Sequence, residues 1–241
     1  MKVAPKVIFF LEGADGFGTL IADALQPNPS STLRRLEDSF ELPLERYGIK
    51  DRKACGRVVQ FVDADGLLEV SLLLLQYYEP PVLACAVNEA LASLTAENLS
   101  SMPTVIFPFL VSAPKLKLES RESMPVGNAS VYGMQVGLEN DITQALLSRT
   151  QKLPSSLQIH HEPLACILQL ARVLKLPAFI LIGQSGDRVS RKNSGEELEV
   201  IGEMSGILAS ISSLSFSRER IVWNPTKISK ETEEPWRALY G

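Results

Sequence analysis

The stretch EPLACILQLARVLKLPAFILI, residues 162–182, decides the fold that this sequence predicts. Its first part predicts an α-helix over residues 162–174, because apolar residues recur at the spacing of one helical face: Leu164, Ile167, Leu168, Ala171 and Leu174. AFILI, residues 178–182, is a continuous apolar run, which is typical of a central strand buried on both faces. A helix followed by a buried strand is an α/β unit.

The beginning of the chain predicts a second unit of this kind. VIFFL, residues 7–11, indicates a buried strand, GADGFG, residues 13–18, a tight turn, and TLIADAL, residues 19–25, a short helix. Strands that alternate with helices imply a three-layer α/β/α sandwich with a largely parallel sheet, Rossmann-like or phosphorylase-like.

A hairpin makes the predicted sheet mixed. Residues 57–62 and 67–78 predict two strands, and the DADG between them favours an antiparallel turn, because an Asp-Gly pair tolerates positive φ. Residues 30–53 combine charges, Pro43 and Gly48 with weak periodicity. We therefore expect an irregular surface excursion over residues 30–53.

The middle of the chain predicts a further strand, a helix and another strand. VLACAV, residues 82–87, indicates a short strand, with Asn88 as the cap of the helix that follows. TVIFPFLV, residues 104–111, indicates a buried strand, and Pro108 inside it argues for a sheet edge or a bulge. Residues 112–129 predict a long loop, either a contact or regulatory segment or a disordered one.

Two more helices are predicted after that loop. DITQALLSR, residues 141–149, follows a strand over residues 131–136 and has Asp141 as its cap. Ser194 and Glu197 have the spacing of a capping box, and an apolar stripe continues from them toward Leu214.

Composition excludes several classes of protein. The net charge of −4, with lysine and arginine scattered along the chain, gives no electrostatic footprint for nucleic acid. The three cysteines, Cys55, Cys85 and Cys166, are far apart in apolar surroundings, which suggests reduced thiols. No signal peptide or membrane span is expected, because each apolar run is short and interrupted by polar residues. The expected location is the cytoplasm, and the nucleus stays open.

Two glycine-containing loops imitate catalytic motifs without matching them. Residues 13–18 have the spacing G-x-x-G-x-G, and Asp15 would repel the phosphates that a dinucleotide loop binds. Residues 183–187 resemble a nucleophile elbow, but His160 and His161 precede its serine instead of following it. We expect the first loop to be a sharp turn and the two histidines to lie in a loop before the helix. The sequence predicts no catalytic residue, no cofactor and no metal site.

The last three residues, Leu239, Tyr240 and Gly241, are the predicted binding site. A hydrophobic residue, a tyrosine and a terminal carboxylate form a compact plug that suits a pocket between two subunits. The preceding KISKETEEP, residues 227–235, has the composition of a solvated segment. We therefore divide the chain into one α/β domain, residues 1–223, and an extended tail, residues 224–241. Alternatively, Trp236 and Leu239 form one face of a terminal helix packed on the protein's own core.

Two features resemble a known family. SLQIHHEPLACILQLARVLKLPAFILIGQSGD, residues 156–187, resembles the later half of the first subunit of the proteasome assembly chaperone heterodimer. The family has a comparable apolar helix, a Lys-(Leu/Ile)-Pro-Ala junction and a buried strand in this order, and here residues 175–178 form the junction. Its chain also ends in a hydrophobic-Tyr-any tripeptide, matched by Leu239, Tyr240 and Gly241.

This resemblance implies a chaperone without enzymatic activity. It would pair with a second chaperone subunit and promote assembly of the α-type subunits into the ring of the 20S proteasome. By analogy, Leu239 and Tyr240 would enter a pocket between neighbouring α subunits, and the Gly241 carboxylate would pair with a pocket lysine. The alternatives are a small-molecule enzyme or nucleotide-binding protein on a phosphorylase-like fold, which would use one of the two glycine loops, and a regulator of the mature proteasome.

Overall fold

The computed structural model describes residues 1–13, 15–96, 102–112, 115–118, 131–154, 157–185 and 194–221. Within these ranges lie twelve strands: β1 (Lys6–Glu12), β2 (Leu25–Pro27), β3 (Arg34–Pro43), β4 (Lys53–Val62), β5 (Leu68–Gln76), β6 (Thr104–Ser112), β7 (Leu116–Leu118), β8 (Val131–Val136), β9 (Gln151–Lys152), β10 (Leu157–Ile159), β11 (Ala178–Ser185) and β12 (Leu214–Phe216). There are five α-helices: α1 (Phe17–Ala24), α2 (Val82–Ala96), α3 (Asp141–Leu147), α4 (Glu162–Val173) and α5 (Ser194–Ser212). None of these helices has the length and apolar character that crossing a membrane requires.

Eight strands form one large sheet in the order β3-β4-β5-β1-β6-β11-β8-β9. The four central strands, β5, β1, β6 and β11, are parallel to one another. The pairs β3–β4, β4–β5 and β8–β11 are antiparallel. Helices α2 and α4 pack on one face of the sheet, and α1, α3 and α5 pack on the other. The predicted three-layer α/β/α sandwich with a largely parallel, mixed sheet is confirmed.

Strand β1 shows why the centre of the sheet requires continuous apolar runs. Val7 and Phe9 lie in the core beneath α2 and α4, whereas Ile8 and Phe10 lie in the core beneath α1 and α5. All four side chains are at most 1% exposed. Because successive side chains of a strand alternate between the two faces, a strand covered by helices on both sides has no solvated position. The predicted units β1–α1 and α4–β11 are confirmed.

The predicted hairpin is also confirmed. Strands β4 and β5 pair antiparallel, and the DADG turn between them has Gly66 at a φ of 82°. The Asp63 carboxylate accepts hydrogen bonds from the backbone N–H groups of Asp65 and Leu67, at 2.9 and 2.8 Å. The Asp-Gly pair therefore forms this turn for the reason that the sequence indicated.

The expected irregular excursion over residues 30–53 is wrong, because this segment contains β3. Strand β3 pairs with β4 over all ten of its residues and forms one edge of the large sheet. Most of its side chains face solvent, and only Phe40 and Leu42 contact the core beneath α2. An edge strand needs no regular apolar alternation, since its backbone pairing holds it in place, and its charged side chains hid it from the periodicity argument.

The expected short strand over residues 82–87 is also wrong, because these residues begin α2. Asn88 does not cap a helix but lies inside α2, where its side-chain amide donates to the Tyr47 hydroxyl at 2.8 Å. The buried residues of α2 follow a helical period across the supposed boundary: Leu83, Ala86, Val87, Ala90, Leu91 and Leu94. A short apolar run fits a strand and a helix equally well, and only the longer period distinguishes them.

Pro108 does not mark a sheet edge or a bulge. Strand β6 lies between β1 and β11, and its ladder with β11 continues without a register shift past Pro108 to Ser112. The ladder with β1 ends earlier, at the pair of Ile8 and Ile106. Since β1 has already separated from β6, the missing N–H of Pro108 leaves no ladder bond unmade on that side.

Smaller differences concern a cap and a loop. Helix α3 is capped by Asn140, not by Asp141, and Asn140 forms a reciprocal capping box with Thr143. The expected loop over residues 112–129 includes β7, which pairs antiparallel with β10; residues 113–114 and 119–130 lie outside the described ranges. Helix α5 begins at Ser194 as predicted, but the side chain of Ser194 is not among those described.

Candidate functional site

The connections of the sheet reverse direction at β1 and β6. From β1 the chain reaches its neighbour β5 on one side, and then α2 leads back to β6 on the other side. In open α/β sheets, ligands bind beyond the carboxyl ends of the strands at such a switch point. Because the β1–β6 ladder ends at Ile106, the two strands separate there, and a cavity of about 110 Å³ lies between their carboxyl ends. We call this space the switch-point cavity.

The glycine turn after β1 forms one wall of the switch-point cavity. Gly16 has a φ of 67°, and a Cβ on Gly18 would lie 2.8 Å from the Cβ of Phe10. These two glycines allow the chain to reverse sharply and α1 to pack closely against β1. The Asp15 carboxylate accepts a hydrogen bond from the Phe17 N–H at 3.2 Å, so it serves the start of α1. The turn has the structural role that the sequence predicted for it.

His161 forms the opposite wall and caps α4. Its Nδ1 accepts a hydrogen bond from the Leu164 N–H at 3.3 Å, so the ring carries its proton on Nε2. Burial, helped by the charge of Lys115, lowers the pKa of His161 to about 4. At neutral pH this imidazole is therefore uncharged, and its ring meets the ring of Phe109 edge-on at 5.7 Å. The prediction that the two histidines enter the helix from a loop is confirmed.

Tyr77 stands at the rim of the switch-point cavity and is 43% exposed. Partial burial, together with the negative charges of Glu79 and Glu162, raises the pKa of its hydroxyl. A tyrosine with a raised pKa stays protonated at neutral pH and can donate a hydrogen bond, but it is not activated as a base or nucleophile.

The size of the switch-point cavity decides what it can hold. Ligand pockets for drug-sized molecules and cofactors typically measure roughly 300–1,000 Å³. The cavity formed by the described residues is about 110 Å³, and Asp15 and the Nδ1 of His161 are engaged by backbone N–H groups. In this form it has no room for a nucleoside or dinucleotide.

The second glycine loop also has a packing role. A Cβ on Gly183 would lie 2.4 Å from the Met204 sulfur and 2.5 Å from a Val200 methyl group. Gly183 therefore allows α5 to lie closely against β11. Gly186 and Asp187 lie outside the described ranges, so the remainder of the elbow-like motif is not placed.

Metal and thiol chemistry receive no support from the part of the chain that the structure describes. It contains no group of three or more histidine, cysteine, aspartate or glutamate side chains that could hold a metal ion. Cys55, Cys85 and Cys166 are all free and half-buried. Burial raises the pKa of the Cys166 thiol above its usual value, which keeps it protonated and unreactive.

A second, larger concave surface was missed by the sequence argument. A groove of about 630 Å³ follows the outer edge of β8 beside α4, and we call it the edge groove. Its walls include Met134 and Gln135 of β8, Leu168 and Arg172 of α4, and the segment that begins at Lys152. The sequence gives only a weak signal for this groove, because its lining residues follow no regular spacing. Arg172 follows Leu168 by one helical turn, and Pro154 comes two residues after the two-residue strand β9.

The predicted binding residues Leu239, Tyr240 and Gly241 lie outside the described ranges, as does the whole tail from residue 224. The last described residue, Ile221, follows a 3₁₀ turn at Arg218–Arg220 and packs against the core beneath α1 and α5. The plug, the division into domain and tail, and the alternative terminal helix all stay predictions.

Comparison with solved structures gives matches at low sequence identity. A protein of unknown function from Corynebacterium glutamicum is 14% identical, with a TM-score of 0.51, over 91% of this chain and 80% of that chain. PbaB, an archaeal proteasome activator from Pyrococcus furiosus, is 10% identical, with a TM-score of 0.49, over 91% and 88%. The 5'-methylthioadenosine nucleosidase of Arabidopsis thaliana is 13% identical, with a TM-score of 0.45, over 94% and 100%. The match to the Corynebacterium glutamicum protein, the one of these three with a TM-score above 0.5, shows a shared fold alone.

Comparison at the level of sequence gives one family and no individual relative. No curated protein matches the chain. One family model, described as "Domain of unknown function (DUF7894)", matches residues 1–241. Because the match spans the full length of the sequence, the chain belongs to the DUF7894 family.

Proposed function

We propose that this protein is a chaperone that promotes assembly of the α-ring of the 20S proteasome. It acts as a heterodimer with a second chaperone subunit, and it inserts Leu239 and Tyr240 into a pocket between neighbouring α-type subunits. The Gly241 carboxylate pairs with a lysine of that pocket. The proposed compartment is the cytoplasm, with the nucleus as a second compartment for the same assembly work.

The observation that carries this proposal is the joint resemblance of residues 156–187 and of the final tripeptide to the proteasome assembly chaperone family. The helix, junction and strand on which the resemblance rests are present in the structure as α4, residues 175–178 and β11. Two features at the corresponding relative positions support the proposal more strongly than either feature alone.

The junction itself has a physical explanation, and this separates fold from function. Lys175 has a φ of 53°, its N–H bonds to the Arg172 carbonyl, and the Leu176 N–H bonds to the Ala171 carbonyl at 3.0 Å. This arrangement is a Schellman motif, which is commonly followed by proline because proline cannot continue the helix. The junction thus supports the shared fold, and the tail carries the functional part of the proposal.

The body of the protein must add binding surface to the tail. Burying one leucine and one tyrosine and pairing one carboxylate contributes roughly 5 kcal/mol, which corresponds to a dissociation constant of about 0.1–1 mM. A heterodimer that presents two tethered tails gains from effective concentration and attaches firmly but reversibly. Release requires no nucleotide if it follows a change in the ring as the proteasome matures.

The small-molecule alternative receives less support from the site geometry. An enzyme or nucleotide-binding protein on this fold would need a ligand cavity at the switch point or at the second glycine loop. The switch-point cavity measures about 110 Å³, and Gly183 packs directly against α5. The fold therefore accounts for the glycine turn after β1 and for Gly183 of the second loop.

The test is affinity purification of the tagged full-length chain from cells that express it natively, followed by mass spectrometry. The chain should recover a second chaperone subunit and α-type proteasome subunits without active β subunits. Tyr240→Ala should lose most of the α subunits and keep the chaperone partner, because the tail contacts only the ring. Tyr240→Phe, which keeps the ring and loses the hydroxyl, should retain an intermediate amount.

Three outcomes would contradict the proposal in different ways. Recovery of mature particles with active β subunits would indicate a regulator instead of an assembly factor. Unchanged recovery of α subunits by Tyr240→Ala would show that the tail is not the docking element. Recovery of neither proteasome subunits nor a chaperone partner would overturn the proposed function as a whole.

A further inference from the structure

The outer edge of β8 is only partly paired. Strand β8 has six residues, but β9 pairs with just Tyr132 and Gly133. Within the described ranges, no strand pairs with the outer side of residues 134–136. Peptide groups along an unpaired edge need hydrogen-bond partners and form a template for another strand.

Pro154 explains why β9 stops so early. Strand β9 runs parallel to β8 and ends at Lys152, and two residues later Pro154 has no N–H with which to continue the ladder. The chain then departs from β8 and returns as β10, which pairs with β7. The space left between β8 and the departing chain is the edge groove of about 630 Å³.

The lining of the edge groove is mostly apolar. Its apolar lining comes from β8, from α4, from the end of α3, from β10 and from the residues after β9: Met134, Leu147, Leu153, Pro154, Leu157, Ile159, Ala165 and Leu168. Most of these side chains are partly exposed, so an occupant would remove apolar surface from water. The volume lies within the range of established binding pockets.

The charges at the edge groove have one sign. Lys152 and Arg172 are exposed at its rim, and none of the described residues that line it is an aspartate or glutamate, although the protein has a net charge of −4. Neither cation makes an ion pair with another described residue. An occupant with an acidic group would therefore meet two available cations.

We propose that the edge groove binds an extended acidic segment of a partner protein by addition of a strand to β8. The segment would pair with residues 134–136, place alternate apolar side chains in the groove and set a carboxylate beside Arg172 and Lys152. Strand addition takes its affinity from main-chain hydrogen bonds and its specificity from pockets for alternate side chains. A small apolar acid would use the groove and the cations but would leave the edge of β8 unpaired.

The edge groove is lined by residues between Gly133 and Arg172, and the proposal for it does not depend on the proposed assembly function. The occupant is recognised by backbone pairing, apolar side chains and negative charge, whichever process brings it to the protein. The experiment below uses synthetic probes and the purified full-length chain, so it gives a result even if no proteasome subunit binds.

The test measures fluorescence anisotropy with a fluorescein-labelled nonapeptide of alternating valine and threonine that carries two aspartates at one end. The full-length chain should bind it, and within residues 134–136 hydrogen exchange of the amides that point away from β11 should slow at least tenfold in the complex. A version of the peptide with N-methyl groups on alternate amides should bind at least tenfold more weakly, because it cannot complete the ladder. A version with lysines in place of the aspartates should also lose at least tenfold.

Two protein variants separate the groove from general electrostatics. Arg172→Glu should weaken binding at least tenfold. Arg34→Glu makes the same change of charge at an exposed position on β3, at the far edge of the sheet, and should alter binding less than twofold. Both arginines are exposed, and circular dichroism of each variant checks that the fold is retained.

Three results would overturn the proposal. Equal affinity for the N-methylated peptide, without protection of residues 134–136, would exclude strand addition. Binding of laurate with the same dependence on Arg172, without binding of the acidic peptide, would make the groove a site for small apolar acids. Protection of residues 134–136 in the free chain that disappears when residues 224–241 are deleted would make the chain's own tail the occupant.

Discussion

The two edges of the large sheet differ in how they are closed to another strand. Strand β3 is the last strand on one side of the sheet, and ion pairs hold three of its charged side chains: Arg35 with Asp23 and Glu37, and Glu41 with Lys53. At the opposite edge, β9 covers two of the six residues of β8, and an apolar groove lies beside the remainder. Charged edges resist pairing with other chains, whereas open apolar edges favour it.

This difference indicates which side of the molecule meets a partner. At the β3 edge no further strand pairs with the outer side among the described residues either, but Arg35, Glu37 and Glu41 have ion-pair partners within the chain, and such charges disfavour an added strand. At the β8 edge, among the described residues, no strand pairs with the outer side of residues 134–136, and Lys152 and Arg172 make no ion pair. The protein therefore has one edge that is protected by its own charges and one that is suited to recognition.

The largest expected loss of stability comes from a substitution of Gly137, which directly follows the last residue of β8. This glycine has a φ of 76°, and a Cβ there would lie 2.1 Å from the backbone oxygen of Leu176. Gly137→Ala should lower the free energy of unfolding by about 3 to 5 kcal/mol, since it adds left-handed strain to a clash with backbone. Denaturation in urea, followed by circular dichroism, measures the change.

The matched control for Gly137 lies in the hairpin on the other half of the sheet. Gly66 has a φ of 82°, but a Cβ on it would meet nothing within 4 Å. Gly66→Ala should therefore cost only the left-handed strain, about 1 to 2 kcal/mol. Equal losses for the two variants would mean that Gly137 is not packed against the Leu176 carbonyl.

The central layers of this fold could be predicted because burial on both faces leaves a strong signal. AFILI in β11 and VIFFL in β1 are apolar at every position, and α4 has one complete apolar face. The edge strand β3 could not be predicted in this way, because solvent covers most of its side chains and backbone pairing alone positions it. The start of α2 was misread because six apolar residues fit either kind of element.

The candidate sites were less predictable than the fold. The glycine turn at residues 13–18 was correctly interpreted as a structural turn, since its spacing and Asp15 argued against phosphate binding. The edge groove is lined by residues between Gly133 and Arg172 that lie on several different elements, and only the fold brings them together, so no single local pattern indicates it. The tail at Leu239, Tyr240 and Gly241 is the reverse case, because its signal is entirely local and stays a prediction.

A smaller effect is expected in the pH dependence of stability, through His161 on the β8 side of the sheet. His161 caps α4, which forms a wall of the edge groove, and its pKa is lowered from 6.5 to about 4 by burial and by Lys115. As the pH falls, His161 is protonated in the unfolded chain before it is protonated in the folded chain. The stabilising contribution of the neutral His161 is therefore fully present above pH 6.5 and is lost as the pH drops toward 4. The loss should reach up to about 3 kcal/mol, measured as the free energy of unfolding across this range.

A pair of histidine variants isolates the contribution of His161 to this pH dependence. His161→Asn keeps a side chain that can cap α4 but removes the titrating ring, so the slope between pH 6.5 and pH 4 should become shallower. His160→Asn changes the exposed neighbour and should leave the slope unaltered. If both variants keep the original slope of the free energy of unfolding against pH, the acid sensitivity comes from groups other than His161.

The smallest expected effect concerns the partly buried ion pairs of Arg35 at the β3 edge. The Arg35 side chain is 17% exposed and lies 2.7 Å from Glu37 and 3.4 Å from Asp23. Arg57 lies 3.5 Å from the same two carboxylates, so it would compensate for part of the loss. Arg35→Ala should therefore lower the free energy of unfolding by only about 1 kcal/mol. Lys53→Ala removes a fully exposed pair with Glu41 and should change nothing measurable, so an equal effect of the two variants would show that burial does not distinguish these ion pairs.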